Sequence, residues 1–470
     1  MRKLRSLVLV ALASGALAVP AAASAAETTY TMSVPTGTIS GYEVKQEVDV
    51  PIPKPAASGF ITKMETDIVD AATGEPVPIS RLMLHHIVFF NGLKRDNTCS
   101  DFLSFDTRTW FGLAPQRFYA AGEERAKLAL PPGYGYPTSG GDIWGMTYML
   151  MNHRAAPDNA LIQYKVTVED DPGTTPVKPY WLDVNDCRAD PIYNVPGTGG
   201  KKSTSTVGRD YVIPEAGRII AGAGHVHGGA RALDITKPDC GDLKVAESTP
   251  TWGLPDHPFY NVRPILHEPG PINMSGFQTS TGIPIRAGER IRLNSLYDNS
   301  LPHVRVMGIF VVYIAPGAPG TPACGGAPGD LQTFKTDQPG RPGPVPFKIP
   351  LTGLNAQGEA IAIKKPGGKL KRARSGTTTQ VSDRFFGRRN IEAKRGATLN
   401  WRFAGAELHN LTLANGPVGI GTDNLDQGRT FTKRFGRPGT YRFFCALHPV
   451  QMTQRLVVKG KKKKKRHRRG

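Results

Sequence analysis

The chain has 470 residues, 39% of them hydrophobic, with 53 glycines, 40 prolines and a formal charge of +20. That length exceeds what one hydrophobic core serves, so two or three domains are expected, and the glycine and proline content argues against a mainly helical protein. The positive charge is concentrated at Lys461–Arg469, at Lys364–Arg374 and at the N-terminus. No nucleic-acid partner is expected from such a distribution, and a basic end suits an anionic envelope surface or simple solvation about equally.

In chain order, residues 1–25 read as a signal peptide. Arg2, Lys3 and Arg5 precede an apolar stretch from Leu7 to Val19 and a small-residue cleavage motif at Ala23-Ser24-Ala25. An exported protein, in a periplasm or outside the cell envelope, is therefore expected, and export permits disulfides. The five cysteines are Cys99, Cys187, Cys240, Cys324 and Cys445. An odd count leaves one spare. Cys445 lies in a metal motif and needs its thiolate, so the other four can make two bridges; of the three possible connectivities, which sequence alone does not decide, Cys99–Cys187 with Cys240–Cys324 is the one expected.

From about 30 to 316 the chain consists of short apolar runs broken by Gly, Pro, Asn and Asp, such as Leu82–Phe90, Ile143–Met151, Leu161–Val168, Arg218–Ala223 and Val304–Ile314. These read as strands of two β-sandwich subdomains, 30–170 and 171–316, with a polar joint or loop at Pro196–Ser205. Residues 317–376 form a Pro/Gly/basic linker with weak strand patterns at Phe347–Leu354 and Ala360–Ile363. A compact alternating pattern returns at 377–458, followed by a basic tail at 459–470. The expected fold is all-β, without a convincing internal repeat.

The third β unit carries the densest motif. Tyr441-Arg-Phe-Phe-Cys445-Ala-Leu-His448-Pro-Val-Gln-Met452 reads as strand, ligand loop and the approach to another strand, and His409 lies upstream in Glu-Leu-His-Asn-Leu-Thr-Leu. One thiolate, two imidazoles and a weak axial thioether are the donors of a blue-copper site. Over about 80 residues this resembles the plastocyanin, amicyanin and azurin family of cupredoxins, Greek-key β-sandwiches that pass single electrons. The resemblance implies a type 1 copper on His409, Cys445, His448 and Met452, although three residues between His448 and Met452 is not the usual plastocyanin spacing.

Before the linker stand His85-His86, His153, His225-Val-His227 and Met307. Residues i and i+2 of a strand share a face about 6.5–7 Å apart, so His225 and His227 can reach one ion. Adjacent strand residues face opposite sides, so His85 and His86 can share an ion only where the strand is bulged or ends. Taken singly, each histidine is more often structural. Their order resembles the copper type II, ascorbate-dependent monooxygenases, which include the peptidylglycine α-hydroxylating and dopamine β-monooxygenases. In that family two jelly-roll-like sandwiches each hold one copper. The resemblance implies an electron-entry copper on His85, His86 and His153, and a catalytic, dioxygen-binding copper on His225, His227 and Met307. About three coppers per chain follow, one type 1 and two type 2-like, with ascorbate or another small reductant.

The peptide-anchoring residues of that family are replaced by Ala223, Ile309 and Val311, which predicts a small, uncharged or apolar organic substrate alongside dioxygen. His257, His267 and His303 have no family counterpart. His303, four residues before Met307, is a candidate supporting group, with a surface position expected. The leading reading is an exported copper monooxygenase with a tethered electron-transfer domain. The alternative is a non-catalytic copper carrier or electron relay. A laccase-like oxidase is set aside because a single His-x-His motif occurs, and Met307 argues against a copper nitrite reductase.

Overall fold

The computed structural model describes residues 26–460 apart from 100–113, 186, 189, 262–265, 318–323, 336–339, 342, 344–365 and 367. The signal peptide, the weak strands at 347–354 and 360–363, and all but the first two residues of the basic tail therefore lie outside the described residues. The fold is all-β, with short 3-10 and α turns at Pro238–Cys240 and Pro258–Asn261. Among the described residues no helix is long and apolar enough to cross a membrane.

The first sandwich pairs two sheets. One runs Glu27–Pro35, Ala160–Glu169, Gly59–Asp70 and Tyr134–Thr138; the other runs Val44–Ile52, Trp144–Asn152, Leu82–Arg95 and Pro115–Gly122. Alternation sends Ile61, Ile68, Ile87, Phe89, Tyr164 and Val166 into one shared core. The second sandwich stacks Lys178–Asp183, Gly308–Pro316, Gly217–Val226 and Gly276–Ile285 on Thr204–Ile213, Glu289–Asp298, Ala230–Lys237 and Leu243–Ser248.

The two sandwiches share a seam. Along Gly308–Pro316, Phe310, Val312 and Ile314 enter the core of the second sandwich, whereas Ile309, Val311, Tyr313 and Ala315 enter that of the first. A strand covered on both faces needs a continuous apolar run, which is what Gly-Ile-Phe-Val-Val-Tyr-Ile-Ala supplies. Each large apolar side chain buried this way is worth about 1.5–3 kcal/mol, so the seam is a rigid part of the fold. The disulfide Cys99–Cys187 joins segments following a strand of each sandwich, and Cys240–Cys324 forms the second bridge. Cys445 is free and buried.

The third unit sets Asn390–Lys394, Thr453–Lys459, Gly439–Phe444 and Thr412–Asn415 against Thr377–Ser382, Thr398–Phe403 and Thr430–Arg434, closed on Trp401, Phe435, Phe443 and Leu456. It docks on the second sandwich through hydrogen bonds from Gly419 N–H to the Pro196 carbonyl (3.1 Å) and from the Asn194 amide to the Gly421 carbonyl (2.9 Å). Arg305 also donates to the Thr422 carbonyl.

Candidate metal centres

In the third unit Cys445 follows the strand Gly439–Phe444, and the loop closes by hydrogen bonds from His448 N–H to Cys445 O (3.1 Å) and from Met452 N–H to His448 O (3.0 Å). This turn points sulfur and imidazole the same way. The Cys445 sulfur lies 3.7 Å from His448 Nδ1 and 4.0 Å from His409 Nδ1, and Asn410 N–H approaches it to 3.4 Å. Each imidazole is braced at its other nitrogen, His409 Nε2 by Asp383 (3.0 Å) and His448 Nε2 by Glu407 (3.0 Å). Met452 is fully buried in the core that holds Cys445. Burial pushes the Cys445 thiol up, so a thiolate there calls for a cation. The donor set, its bracing and its burial fit copper.

Five histidines of the two sandwiches meet at one place. Strand pairing slips between Leu84 and His86 opposite Leu150 and Met149, leaving His85 as the additional residue of a bulge. The adjacent imidazoles are thereby brought together, with Nδ1 atoms 3.0 Å apart. His225 is the last residue but one of the strand Gly217–Val226 and His227 follows it; their ring centroids are 5.2 Å apart. His85 lies 4.9 Å from His227 and 5.0 Å from His267. The expected pairs thus share one cluster across the seam, joined by a fifth histidine.

His153 is not part of it. Register places Asn152 opposite Leu82 and Met149 opposite His86, which sets His153 four residues, roughly 13 Å at ~3.3 Å per residue, along the strand from the cluster. The set His85, His86 and His153 expected for an electron-entry copper is not brought together. His267 and the carboxylates of Glu123 and Glu124 occupy the neighbourhood instead. They lie on loops and turns, where no periodicity announces them.

Second contacts fix the rings. His227 Nδ1 donates to the Arg305 carbonyl (2.9 Å), and His267 Nδ1 donates to the Glu268 carbonyl (2.7 Å). His225 Nδ1 lies 3.2 Å from both Glu124 oxygens. In all three rings Nε2 is buried without a hydrogen-bond partner, the arrangement of an imidazole prepared as a ligand. Tyr297 holds the neighbouring backbone, accepting from His227 N–H (2.8 Å) and donating to the Met307 carbonyl (2.7 Å). His303, expected at the surface, is 1% exposed. Its Nδ1 lies 2.8 Å from the Glu268 carboxylate, and its ring packs where Gly229 has no side chain.

Burial disfavours the charged form of four of these imidazoles. It depresses His85 and His227 well below the ordinary histidine range, with neighbouring histidines adding to the effect, and takes His86 to about 3 and His267 to about 4. For His303 burial acts downward, but the Glu268 carboxylate overrides it and the net shift is upward. Glu123 is pushed well above the usual carboxylate range by burial. Neutral imidazoles with Met307 nearby suit Cu(I) and Cu(II), so the residues fit copper here too.

A cavity opens on each side of the cluster. One, enclosing about 90 Å³, is reached by His86, His225 and Met307 and walled by Phe90, Tyr119, Leu128, Trp181 and Phe277. Ala223, Ile309 and Val311 also line it. Charged residues at its edge are paired: Arg117 with Asp96 (2.8 Å), Lys127 with Glu65 (2.6 Å). The other, of about 80 Å³, touches His85, His86, His227, His267 and Met307, and reaches Ala446 and Leu447 of the third unit's ligand loop. Leu447 also packs against the apolar cluster that contains Met149 and Met151, and Met149 is the strand partner of His86.

No family model matches the chain. It is 24% identical over 300 residues to "Probable copper-dependent oxygenase M1" of a Phoma species, covering 59% of this chain and 68% of that protein. It is 26% identical over 260 residues to "Probable copper-dependent oxygenase clz3" of Cochliobolus lunatus, covering 50% and 73%. Among solved structures, a purple cupredoxin from Nitrosopumilus maritimus matches 18% of this chain and 99% of its own, at 21% identity and a TM-score of 0.17. A reduced amicyanin mutant matches 18% and 81%, at 22% identity and the same TM-score.

Proposed function

We propose that the chain is an exported copper-dependent monooxygenase that hydroxylates a C–H bond of a small apolar substrate, with electrons delivered through the tethered cupredoxin unit. The observation that carries this reading is the position of the five-histidine cluster, between an apolar cavity on one side and the Cys445–His448 loop on the other. The two curated relatives, named as probable copper-dependent oxygenases, support the general class. The two disulfides are compatible with export.

Copper held by the cluster imidazoles and Met307 would supply the redox chemistry that dioxygen needs. The reaction consumes R–H, O2, two electrons and two protons, and yields R–OH and water. The apolar walls bind a neutral substrate and exclude water, and Ala223, Ile309 and Val311 leave no charge to anchor a carboxylate. Glu124, beside His225 at the inner end of the cavity, holds that ring in place. His409, Cys445 and His448 would hold the copper that takes up single electrons from ascorbate or a similar reductant, and Leu447 and Met149 lie between that loop and His86.

The test is oxygen consumption by copper-loaded full-length protein with ascorbate and a panel of apolar substrates, using ¹⁸O2. One labelled oxygen atom in the product is expected, lost in His225→Ala. If no substrate raises uptake above that of His225→Ala, the chain is a copper carrier or electron relay instead.

A further inference from the structure

We infer that the histidine cluster is a two-metal centre, in which one ion is held by His85, His267 and Glu123 and sits beside a second held by His225, His227 and Met307, with His86 at the boundary. This deepens the oxygenase reading and rests on it. It departs from the expectation of one copper in each sandwich, and it gives the first ion a ligand set without His153.

The first set is already assembled. Ligand atoms of His85, Glu123 and His267 lie within 4.8 Å of one another. Donors about 2.0–2.2 Å from one ion are separated by at most ~4.4 Å, so a small closure completes the site. His267 Nε2 is buried, 3.2 Å from Glu123 Oε1, and its Nδ1–H is committed to the Glu268 carbonyl. Nε2 and the Glu123 carboxyl thus approach each other in the interior without forming a hydrogen bond, as two donors turned toward a common ion do. Glu123 is itself positioned by Gly270 N–H (2.9 Å), at a residue where a Cβ would come within 2.7 Å of the carboxylate.

The number of donors makes the second half of the case. Five imidazoles, one carboxylate and a thioether exceed what a single copper takes. They divide by where their rings are braced. His85 and His267 face Glu123, while His225 and His227 are held by Glu124 and by the Arg305 carbonyl. His85 and His227, one from each set, have ring centroids only 4.9 Å apart, so the two ions are neighbours. Hydroxylation needs two electrons, whereas a cupredoxin delivers one at a time. A paired centre stores both before dioxygen is reduced.

The experiment uses the full chain carrying Cys445→Ala and His448→Ala, which leaves one imidazole of the blue-copper set and so leaves the cluster to be counted. Metal analysis after loading with copper and desalting should give two ions per chain. It should give one in the added His267→Ala variant, at least tenfold weaker binding of one ion in Glu123→Gln, and still two in His153→Ala. In the Cu(II) form, electron paramagnetic resonance should show spin coupling, which His267→Ala abolishes. Near-UV circular dichroism checks folding. Should His267→Ala misfold, Glu123→Gln and the spin coupling of the parent decide. One copper per chain, or two without coupling, overturns the paired centre and leaves the oxygenase reading standing. No copper in the cluster removes the oxygenase reading as well.

Discussion

Gly122 ends the strand Pro115–Gly122 opposite His86, and a Cβ there would lie 2.7 Å from His225 Cε1, 2.8 Å from His225 Nδ1 and 2.6 Å from Glu124 Oε2. Its backbone is not in the left-handed region, so alanine is excluded by space alone. Relief requires a displacement of about 0.8 Å to regain a normal carbon contact. The His225 ring cannot give that freely, because its Nδ1 is held between the two Glu124 oxygens. Overpacking of this kind costs about 1–3 kcal/mol, and alanine returns about 0.4–1 kcal/mol through the unfolded chain. Gly122→Ala should therefore lose about 1.3 kcal/mol at mid-range, and up to about 2.6 kcal/mol, of folding stability or of copper binding. If the strain falls on the ring, copper affinity at the cluster drops about tenfold at mid-range and by up to about 80-fold. Chelator competition for Cu(I) and urea unfolding of the metal-free protein separate the two. Gly141→Ala is the control, with its Cβ 3.9 Å from Ser139 Oγ and no other neighbour within 4 Å. Unchanged copper affinity and unchanged stability in Gly122→Ala would refute the packing of His225 described above.

Other consequences can be checked in the same way. Tyr297→Phe leaves the His227 N–H and the Met307 carbonyl without their shared partner, so urea unfolding should show a loss of about 2–4 kcal/mol. Metal-free protein should weaken in acid. His86 and His267 are depressed from 6.5 to about 3 and about 4, so below pH 6.5 the unfolded state takes up protons that the folded state refuses. Their stability is intact above pH 6.5 and falls with pH until those lower values, by about 4 kcal/mol in all at pH 5, as denaturation midpoints between pH 7 and 5 will show. Leu447→Arg places a charge in the cavity that Leu447 lines together with Met149, His85 and His86. Blue absorption should persist while stopped-flow reoxidation of the reduced type 1 site by the cluster slows at least tenfold; an unchanged rate would argue against this route.

Much of the architecture could be read from local pattern. Strands announced themselves by apolar alternation, and the two bridges formed between the pairs expected. The set His409, Cys445 and His448 was legible because two of its members share a four-residue loop whose turn fixes their direction. His225 and His227 followed from the period of two. The condition placed on His85 and His86, a bulge, is met at that point. His267 and Glu123 carried no comparable signal, since a loop has no period and its side chains are aimed by tertiary packing. His153 misled for the complementary reason. Its setting after a strand rich in methionine looks right, but register decides distance, and register is a property of two strands.

The seam explains why the copper expectation shifted from two sites to one cluster. In the family that the order of histidines resembles, each sandwich keeps its own metal. Here His85 and His86 project from the first sandwich and His225 and His227 from the second, and the strand Gly308–Pro316 contributes one face to each core. With Ile309, Val311 and Tyr313 buried against the first sandwich, separating the histidine pairs would expose three large apolar side chains at about 1.5–3 kcal/mol each. No open, divided state of the cluster is therefore favourable. On the proposed function, electron entry from the Leu447 side and substrate from the side of Phe90 and Trp181 would meet at a fixed centre. A disulfide introduced across the seam should then leave oxygen uptake unchanged. Loss of turnover on locking the seam, regained on reduction, would show instead that the sandwiches must part during the cycle.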